Sequence, residues 1–155
     1  MVIYMGHKDG AKCLVTKNNK ILMIRQIRDG IEYWGTPGGG IEDGETPEQA
    51  AVRELFEECN VAGKIIRKMS EYPLPIDNNV IVHTFHVDIG NQEPTLGLNL
   101  TEEEKDVLLE VKWMTLDEIC ERDRAFLWAG GLMGLPQFFD EMISWGDNIS
   151  YPRKY

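Results

Sequence analysis

Residues 39–61 read GGIEDGETPEQAAVRELFEECNV, and this stretch decides the fold that the sequence predicts. It contains complete signals for the start of a helix. Thr46 is a good N-cap, Pro47 suits the first helical position, and Gln49 completes a capping box with Thr46. The sequence therefore predicts a helix over residues 46–59.

The predicted helix carries acidic residues on one face. At about 100° per residue, Glu54, Glu57 and Glu58 fall within one arc, and apolar residues fill the neighbouring arc. Carboxylates at these spacings repel one another by roughly a few tenths of a kcal/mol per pair, so the cluster is either a solvated face or a site for a cation. Hard oxygen ligands suit Mg²⁺ or Mn²⁺, and we predict one of these ions as the cofactor.

Residues of defined type stand at fixed intervals along the quoted stretch. They are Gly39, Glu45, Arg53, Glu54, Leu55, Glu57, Glu58 and Val61. This pattern resembles the Nudix box, G-x5-E-x7-R-E-U-x-E-E-x-G-U, in which U is an apolar residue. Eight of the nine specified positions match. The one departure is Asn60 in place of the last Gly, and Asn also adopts the left-handed conformation that ends a helix.

The resemblance implies a fold and an activity. The implied fold is α/β, a Nudix-type α/β/α sandwich with a mixed β-sheet between helices. The implied activity is hydrolysis of a diphosphate linkage in a nucleoside diphosphate derivative, by attack of water on phosphorus with the help of divalent ions. A nucleoside triphosphate pyrophosphatase is the preferred expectation, and an ADP-ribose or other nucleotide-sugar pyrophosphatase is the alternative.

Two functions of other classes compete with this one. The first is a non-catalytic Nudix module that senses a nucleotide, although such modules usually lose box carboxylates and Glu54, Glu57 and Glu58 are all present. The second is a partner-binding scaffold, supported by an aromatic tail that begins at Trp145. That tail equally suits a cover for the core or a homodimer surface.

The resemblance assigns metal ligands by position. It makes Glu57 and Glu58 the principal ligands, and Glu54 a further ligand or the residue that holds a metal-bound water. It also makes the carbonyl of Gly38 a backbone ligand. Because glycine has no Cβ, a metal-bound diphosphate can approach the backbone here, and we expect Gly39 to contact the substrate. The alternative for these glycines is a plain tight turn.

The remaining catalytic roles are also implied by the resemblance. Arg53 would orient the carboxylates without touching the metal, and Glu45 would pair with Arg53. Members of the family often use a general base outside the box, in the loop before the last strand. The acidic run from Glu102 lies in that region, and Glu103 or Glu104 is the preferred base. A solvated acidic run is the alternative.

Substrate contacts outside the box are read from residue type alone. Arg25 and Arg28, on or just after a predicted strand, are candidates to meet phosphates. Tyr33, Trp34 and Phe85 are candidates to stack on a base. Aromatic residues in strands are, however, more often core residues or members of cross-strand pairs.

The rest of the chain predicts a sheet with two further helices. Strands are predicted at residues 11–15, 21–27, 31–34, 65–72, 80–89 and 110–114. Hairpin turns are predicted at residues 17–20 and 77–79, irregular structure at the glycines, and a loop at residues 90–101. Helices are predicted to begin at Thr115 and to cover residues 136–145.

Composition bounds the remaining possibilities. The 155 residues predict one domain, residues 1–155, and the formal charge of −10 opposes binding to a nucleic acid polymer. The expected partner is therefore a small nucleotide, held through a cation. Three cysteines without a CxxC pattern favour a reducing cytoplasm. The sequence has no apolar run of about 20 residues and no signal sequence, which predicts no membrane association.

Overall fold

The computed structural model describes residues 8–28, 30–74, 77–97 and 108–145. Within these ranges the chain forms eight strands and three α-helices. The strands are β1 (Gly10–Leu14), β2 (Thr16–Lys17), β3 (Lys20–Arg28), β4 (Ile31–Gly35), β5 (Gly38–Gly40), β6 (Lys64–Leu74), β7 (Asp77–Asp88) and β8 (Leu108–Thr115). The helices are α1 (Pro47–Cys59), α2 (Glu121–Ala129) and α3 (Pro136–Ser144), with 3-10 turns at Leu116–Glu118 and Leu132–Gly134.

The strands form two sheets of four strands each. The first has the order β5-β1-β7-β6 and is mixed, because β1 runs parallel to β7 and antiparallel to β5. In the second, β3 pairs antiparallel with β2, β4 and β8. The register of the first sheet places Gly39 opposite Ala11 and Gly38 opposite Lys12. The glycines are thereby held against β1.

Helix α1 begins and ends as its sequence predicts. The N–H of Gln49 donates to the Thr46 hydroxyl at 3.1 Å, and the N–H of Thr46 donates to the Gln49 side chain at 2.9 Å. At the other end Asn60 has φ of 57° and ψ of 36°, the left-handed conformation. Both termini are therefore fixed by local interactions, and the acidic face points in a defined direction.

The two larger parts of the core lie on opposite faces of β3. Leu22 and Ile24 pack with α1, whereas Ile21 and Met23 pack with α2, α3 and the segments that join them. This division follows from the alternation of side chains along a strand. Sheet residues are thus covered by helices on both sides, which confirms the α/β/α fold. None of the helices in the described ranges is long and apolar enough to cross a membrane.

One prediction of local structure is right in part, and two are wrong. The turn predicted at residues 17–20 is present around Asn18, but it joins the short β2 to β3, whereas β1 pairs with β5 and β7 and does not form the hairpin. The glycines at Gly38–Gly40 form a strand and not an irregular loop. Residues 77–79 belong to β7 and not to a turn. Strand pairing is decided by distant partners, which local patterns do not contain.

Two further differences concern the helices. The segment that Thr115 caps is a single 3-10 turn, and the helix that follows, α2, was not predicted. The apolar residues of α2 show only weak helical periodicity in the sequence, because two of its buried positions are occupied by the charged residues Asp123 and Arg124. Trp145, the first residue of the aromatic tail, packs against the part of the core that contains Ile21 and Met23, as expected for a residue that covers the core. Residues 146–155 lie outside the described ranges.

Candidate active site

The glycine strand β5 lies directly against the acidic residues of α1. The N–H of Gly38 donates to Oε1 of Glu58 at 2.7 Å. A Cβ on Gly39 would lie 2.5 Å from Oε1 of Glu54. Gly38 has φ of 153°, and a Cβ there would lie 2.2 Å from the carbonyl oxygen of Ala11. Glycine alone permits this approach, so the β5 backbone and the two carboxylates form one surface.

Arg53 ties the remaining acidic residues to this surface. Its Nε and Nη2 donate to the two oxygens of Glu45 at 2.7 and 2.9 Å. Its Nη1 donates to Glu54 at 2.9 Å and to Glu57 at 3.3 Å, and Nη2 also donates to the carbonyl of Gly40 at 3.0 Å. A planar guanidinium has enough donors for all of these acceptors. The pairing of Arg53 with Glu45 is present as predicted.

The charges of the site perturb one another strongly. Burial raises the pKa of Glu54, and hydrogen bonding to Arg53 only partly offsets that effect. The same guanidinium lowers the pKa of Glu45 through a hydrogen bond, and these carboxylates raise the pKa of Arg53 well above its usual range. Glu58 is 7% exposed. The surface therefore concentrates negative charge that is only partly compensated.

The donors of this surface fit a hard divalent cation. The carboxylates of Glu54, Glu57 and Glu58 offer the oxygen ligands that Mg²⁺ and Mn²⁺ prefer. Among the described residues, no three acidic, His or Cys side chains already converge on one point, because Arg53 holds Glu54 and Glu57. Mg²⁺ usually retains waters and takes phosphate oxygens from its substrate, so it does not require a complete protein cage.

A cavity opens on the side of β1 that faces away from α1. Aromatic side chains form much of its wall, and two buried charged residues, Lys12 and Asp123, also line it. Asp123 is 2% exposed, accepts from the N–H of Trp34 at 3.0 Å and from Nε of Arg122 at 2.9 Å. The cavity is thus apolar with one buried cation and one buried carboxylate.

Sequence reasoning missed both of these charged residues. Lys12 carries a local signal, because it interrupts an otherwise apolar strand whose five residues are all buried. Asp123 carries none, since an acidic residue in the first turn of a helix is ordinary. Both lie far from the box in sequence and reach the cavity through strand pairing and helix packing.

The predicted substrate contacts divide into two groups. Tyr33 and Trp34 line the cavity. Burial raises the pKa of Tyr33 and lowers the pKa of Lys12, and the nearby charge of Arg28 acts to lower both. Phe85 is 1% exposed and packs in the core beneath α1, so its ring presents no surface on which a base could stack.

Arg25 is also engaged elsewhere. Its guanidinium bonds Glu32 at 2.9 Å and Glu110 at 3.1 Å across neighbouring strands, and these partners lie outside the box. The proposed bases, Glu103 and Glu104, lie outside the described residues. Gly97, the last described residue before them, lies at the end of α1, where its N–H donates to the carbonyl of Glu58 at 2.8 Å.

Known proteins are similar to this chain in sequence. A family model described as "NUDIX domain" matches residues 6–133. The RNA pyrophosphohydrolase of Proteus mirabilis is 35% identical over 100 residues, which is 61% of this chain and 55% of that protein. The ADP-ribose pyrophosphatase of Bacillus subtilis is 34% identical over 107 residues, which is 67% of this chain and 56% of that protein. The chain spans about half the length of the curated relatives it matches.

Solved structures share the fold. A NUDIX hydrolase from Nitrosomonas europaea superposes with a TM-score of 0.62 at 22% identity, covering 98% of this chain and 78% of that one. A MutT NUDIX hydrolase from Burkholderia pseudomallei superposes with a TM-score of 0.58 at 20% identity, covering 76% of this chain and 93% of that one. At such identities the likeness concerns the fold alone.

Proposed function

This chain belongs to the Nudix family, and on that premise we propose that it hydrolyses a diphosphate linkage in a nucleoside diphosphate derivative with the help of Mg²⁺ or Mn²⁺. The preferred substrates are nucleoside triphosphates, from which it would release pyrophosphate. The observation that carries the proposal is the contact of the glycine strand with the α1 carboxylates, since it joins an anion-accessible backbone to a set of metal-binding oxygens.

We assign a separate role to each residue of the site. Glu57 and Glu58 would hold the cation, with Glu54 as a further ligand or as the group that holds the attacking water, and the carbonyl of Gly38 as a backbone ligand. A bound cation would neutralise the diphosphate and lower the pKa of the attacking water. Arg53 keeps Glu54 and Glu57 within hydrogen-bond distance of one guanidinium, so both carboxylates are already close together before a ligand binds.

The surroundings of the site support a substrate with two unlike ends. The acidic surface suits a metal-bound diphosphate. The neighbouring cavity is walled largely by aromatic and aliphatic side chains, and an open groove that shares Tyr33 and Trp34 with it suits a flat, weakly polar group such as a nucleobase. The acidic surface and the cavity lie on opposite sides of β1, with Lys12 between them. A nucleotide has this division between its phosphates and its base.

A second candidate substrate class is ADP-ribose or another nucleotide sugar. The similarity to the Bacillus subtilis ADP-ribose pyrophosphatase favours it. Both substrates contain a diphosphate, so the α1 carboxylates would act on them alike. The groups that flank the diphosphate would distinguish them.

A panel of nucleotides tests the activity. Triphosphates, nucleotide sugars and dinucleoside polyphosphates are incubated with the full chain and Mg²⁺ or Mn²⁺, and released phosphate or pyrophosphate is measured. We expect turnover of at least one compound, and a loss of about 100-fold or more in Glu57→Gln with an unchanged circular dichroism spectrum.

Glu48→Gln is the matched control for that variant. Glu48 lies in the first turn of the same helix, is exposed and is outside the acidic cluster, so its replacement should leave turnover unchanged. If the wild-type chain and Glu57→Gln are equally inactive across the panel, the proposed activity is wrong and the nucleotide-sensor alternative gains support.

A further inference from the structure

Lys12 is a buried cation in the middle of β1. The side chains of Ala11 and Cys13 pack into the core with α1, whereas Lys12 lines the cavity on the opposite face. This placement follows from the alternation of side chains along the strand. Lys12 is 7% exposed, and a lysine this deeply buried is rare unless its ammonium has a partner.

The ammonium of Lys12 has donors to spare. Among the residues that the structure describes, it makes one hydrogen bond, a long one of 3.5 Å to the carbonyl of Thr36. A lysine ammonium carries three N–H donors, and a buried charge is costly when they are not used. Lys12 and its acceptor residue Thr36 both line the edge of the cavity, so an anionic group that approaches this edge would meet the unused donors.

Lys12 also lies close to the acidic surface. A Cβ on Gly38 would meet the Cδ of Lys12 at 2.6 Å, so the lysine side chain passes directly over that glycine. Gly38 in turn donates to Glu58. Burial lowers the pKa of Lys12, while the negative charges of Glu58 and Glu54 oppose that shift. Lys12 and the α1 carboxylates therefore lie on opposite faces of the glycine strand β5.

We propose that Lys12 is a substrate-binding residue whose ammonium donates to phosphate oxygens of the diphosphate, on the side that faces the cavity and opposite the α1 carboxylates. The inference rests on the proposed function, because it supposes a diphosphate bound at β5. The diphosphate would then be held between a cation site on one side and a fixed ammonium on the other. Such an ammonium offsets negative charge that grows on the leaving oxygen as the phosphorus–oxygen bond breaks.

A purely structural role for Lys12 predicts a different result. In that role the ammonium only balances the charge of Glu58, and replacing it would disturb the carboxylates and weaken every ligand. In the proposed role, removal of a neighbouring positive charge reduces repulsion toward a metal ion but removes a partner of the phosphate. The affinities for metal and for phosphate then change in opposite directions.

Calorimetry on the full chain separates the two roles. Mn²⁺ alone is titrated first, and inorganic pyrophosphate is then titrated at saturating Mn²⁺. For Lys12→Met we expect pyrophosphate affinity to fall by about tenfold or more, with Mn²⁺ affinity unchanged or higher. Lys12→Arg keeps the charge and should restore most of the pyrophosphate affinity. Equal pyrophosphate affinity in Lys12→Met and wild type, or a parallel loss of both ligands, would overturn the proposal.

Two further measurements keep the test decisive. Lys112→Met removes an exposed lysine of β8 that pairs with Glu118, and it should change neither affinity. If Lys12→Met does not fold, Lys12→Gln carries the same expectation with a polar side chain. If Lys12→Met and Lys12→Gln turn over a nucleotide with the kcat and KM of the wild-type chain, the role of Lys12 is refuted and the proposed hydrolysis is not. If these variants lose pyrophosphate binding but the wild-type chain hydrolyses no nucleotide, the proposed hydrolysis is refuted instead.

Discussion

The backbone N–H of Gly38 donates to Oε1 of Glu58 across 2.7 Å, and this contact joins strand β5 to the acidic face of α1. Glu58 is nearly fully buried, so the contact satisfies a carboxylate that has lost most of its hydration. A residue with a side chain at position 38 would push β5 away from β1 and from this carboxylate. The fold and the candidate active site therefore depend on the same glycine.

Gly38→Ala should destabilise the protein. The new Cβ would meet the backbone of Ala11 at 2.2 Å, and the backbone angle of 153° strains any residue with a side chain. We expect the free energy of unfolding in urea to fall by roughly 2–4 kcal/mol. The matched control is Gly40→Ala, whose Cβ would meet only the Lys8 side chain at 3.6 Å and should cost less than about 1 kcal/mol. Equal losses in both variants would contradict this assignment.

Arg53→Lys should lower turnover although it keeps the positive charge. Lysine lacks the planar fork that reaches Glu45, Glu54 and Glu57 at once. We expect kcat to fall by about 10- to 100-fold, with a lower Tm. Arg25→Lys, in a surface ion pair with Glu32, should leave kcat and Tm unchanged. Wild-type kcat in Arg53→Lys would show that a point charge is enough.

The stabilisation given by Mg²⁺ should increase with pH. Burial raises the pKa of Glu54, so the folded apo chain binds this proton more tightly than the unfolded chain does. That contribution to stability is present below the unfolded pKa and is lost as pH rises through the raised folded pKa. A cation competes with the same proton, and the gain in Tm on adding Mg²⁺ should be larger at about pH 8 than at about pH 5.

The matching variant is Glu54→Gln, which cannot titrate at this position. It should show a smaller gain in Tm from Mg²⁺ and a weaker dependence of that gain on pH. An identical gain at both pH values in the wild-type chain would remove Glu54 from the set of metal ligands.

Asp123→Asn should destabilise the folded protein, because Asp123 holds two groups together at the wall of the cavity. Asp123 accepts from the N–H of Trp34 with one carboxylate oxygen and from Arg122 with the other. In asparagine an NH₂ group replaces one of these oxygens, so one of the two hydrogen bonds is lost and two donors face each other. We expect the free energy of unfolding to fall by roughly 1.5–3 kcal/mol. Asp140→Asn on the exposed side of α3 is the control and should stay within about 0.5 kcal/mol of wild type. An unchanged urea midpoint in Asp123→Asn would show that the carboxylate is not needed there.

The sequence by itself determined helix α1 and its acidic face. Thr46, Gln49 and Asn60 act within a few residues of one another, so their spacing predicts both ends of the helix. The arc shared by Glu54, Glu57 and Glu58 follows from helical geometry alone. The box pattern then identified the family, because its residues lie on one short continuous segment.

Only the tertiary structure decided what surrounds that helix. The pairing of β1 with β5 and β7 brings Lys12 against Gly38 and into the cavity, and the packing of α2 brings Asp123 to the same place. The core position of Phe85 and the surface ion pairs of Arg25 were settled in the same way. These contacts join residues that are far apart in the chain, and local spacing does not determine which distant strands and helices pack together.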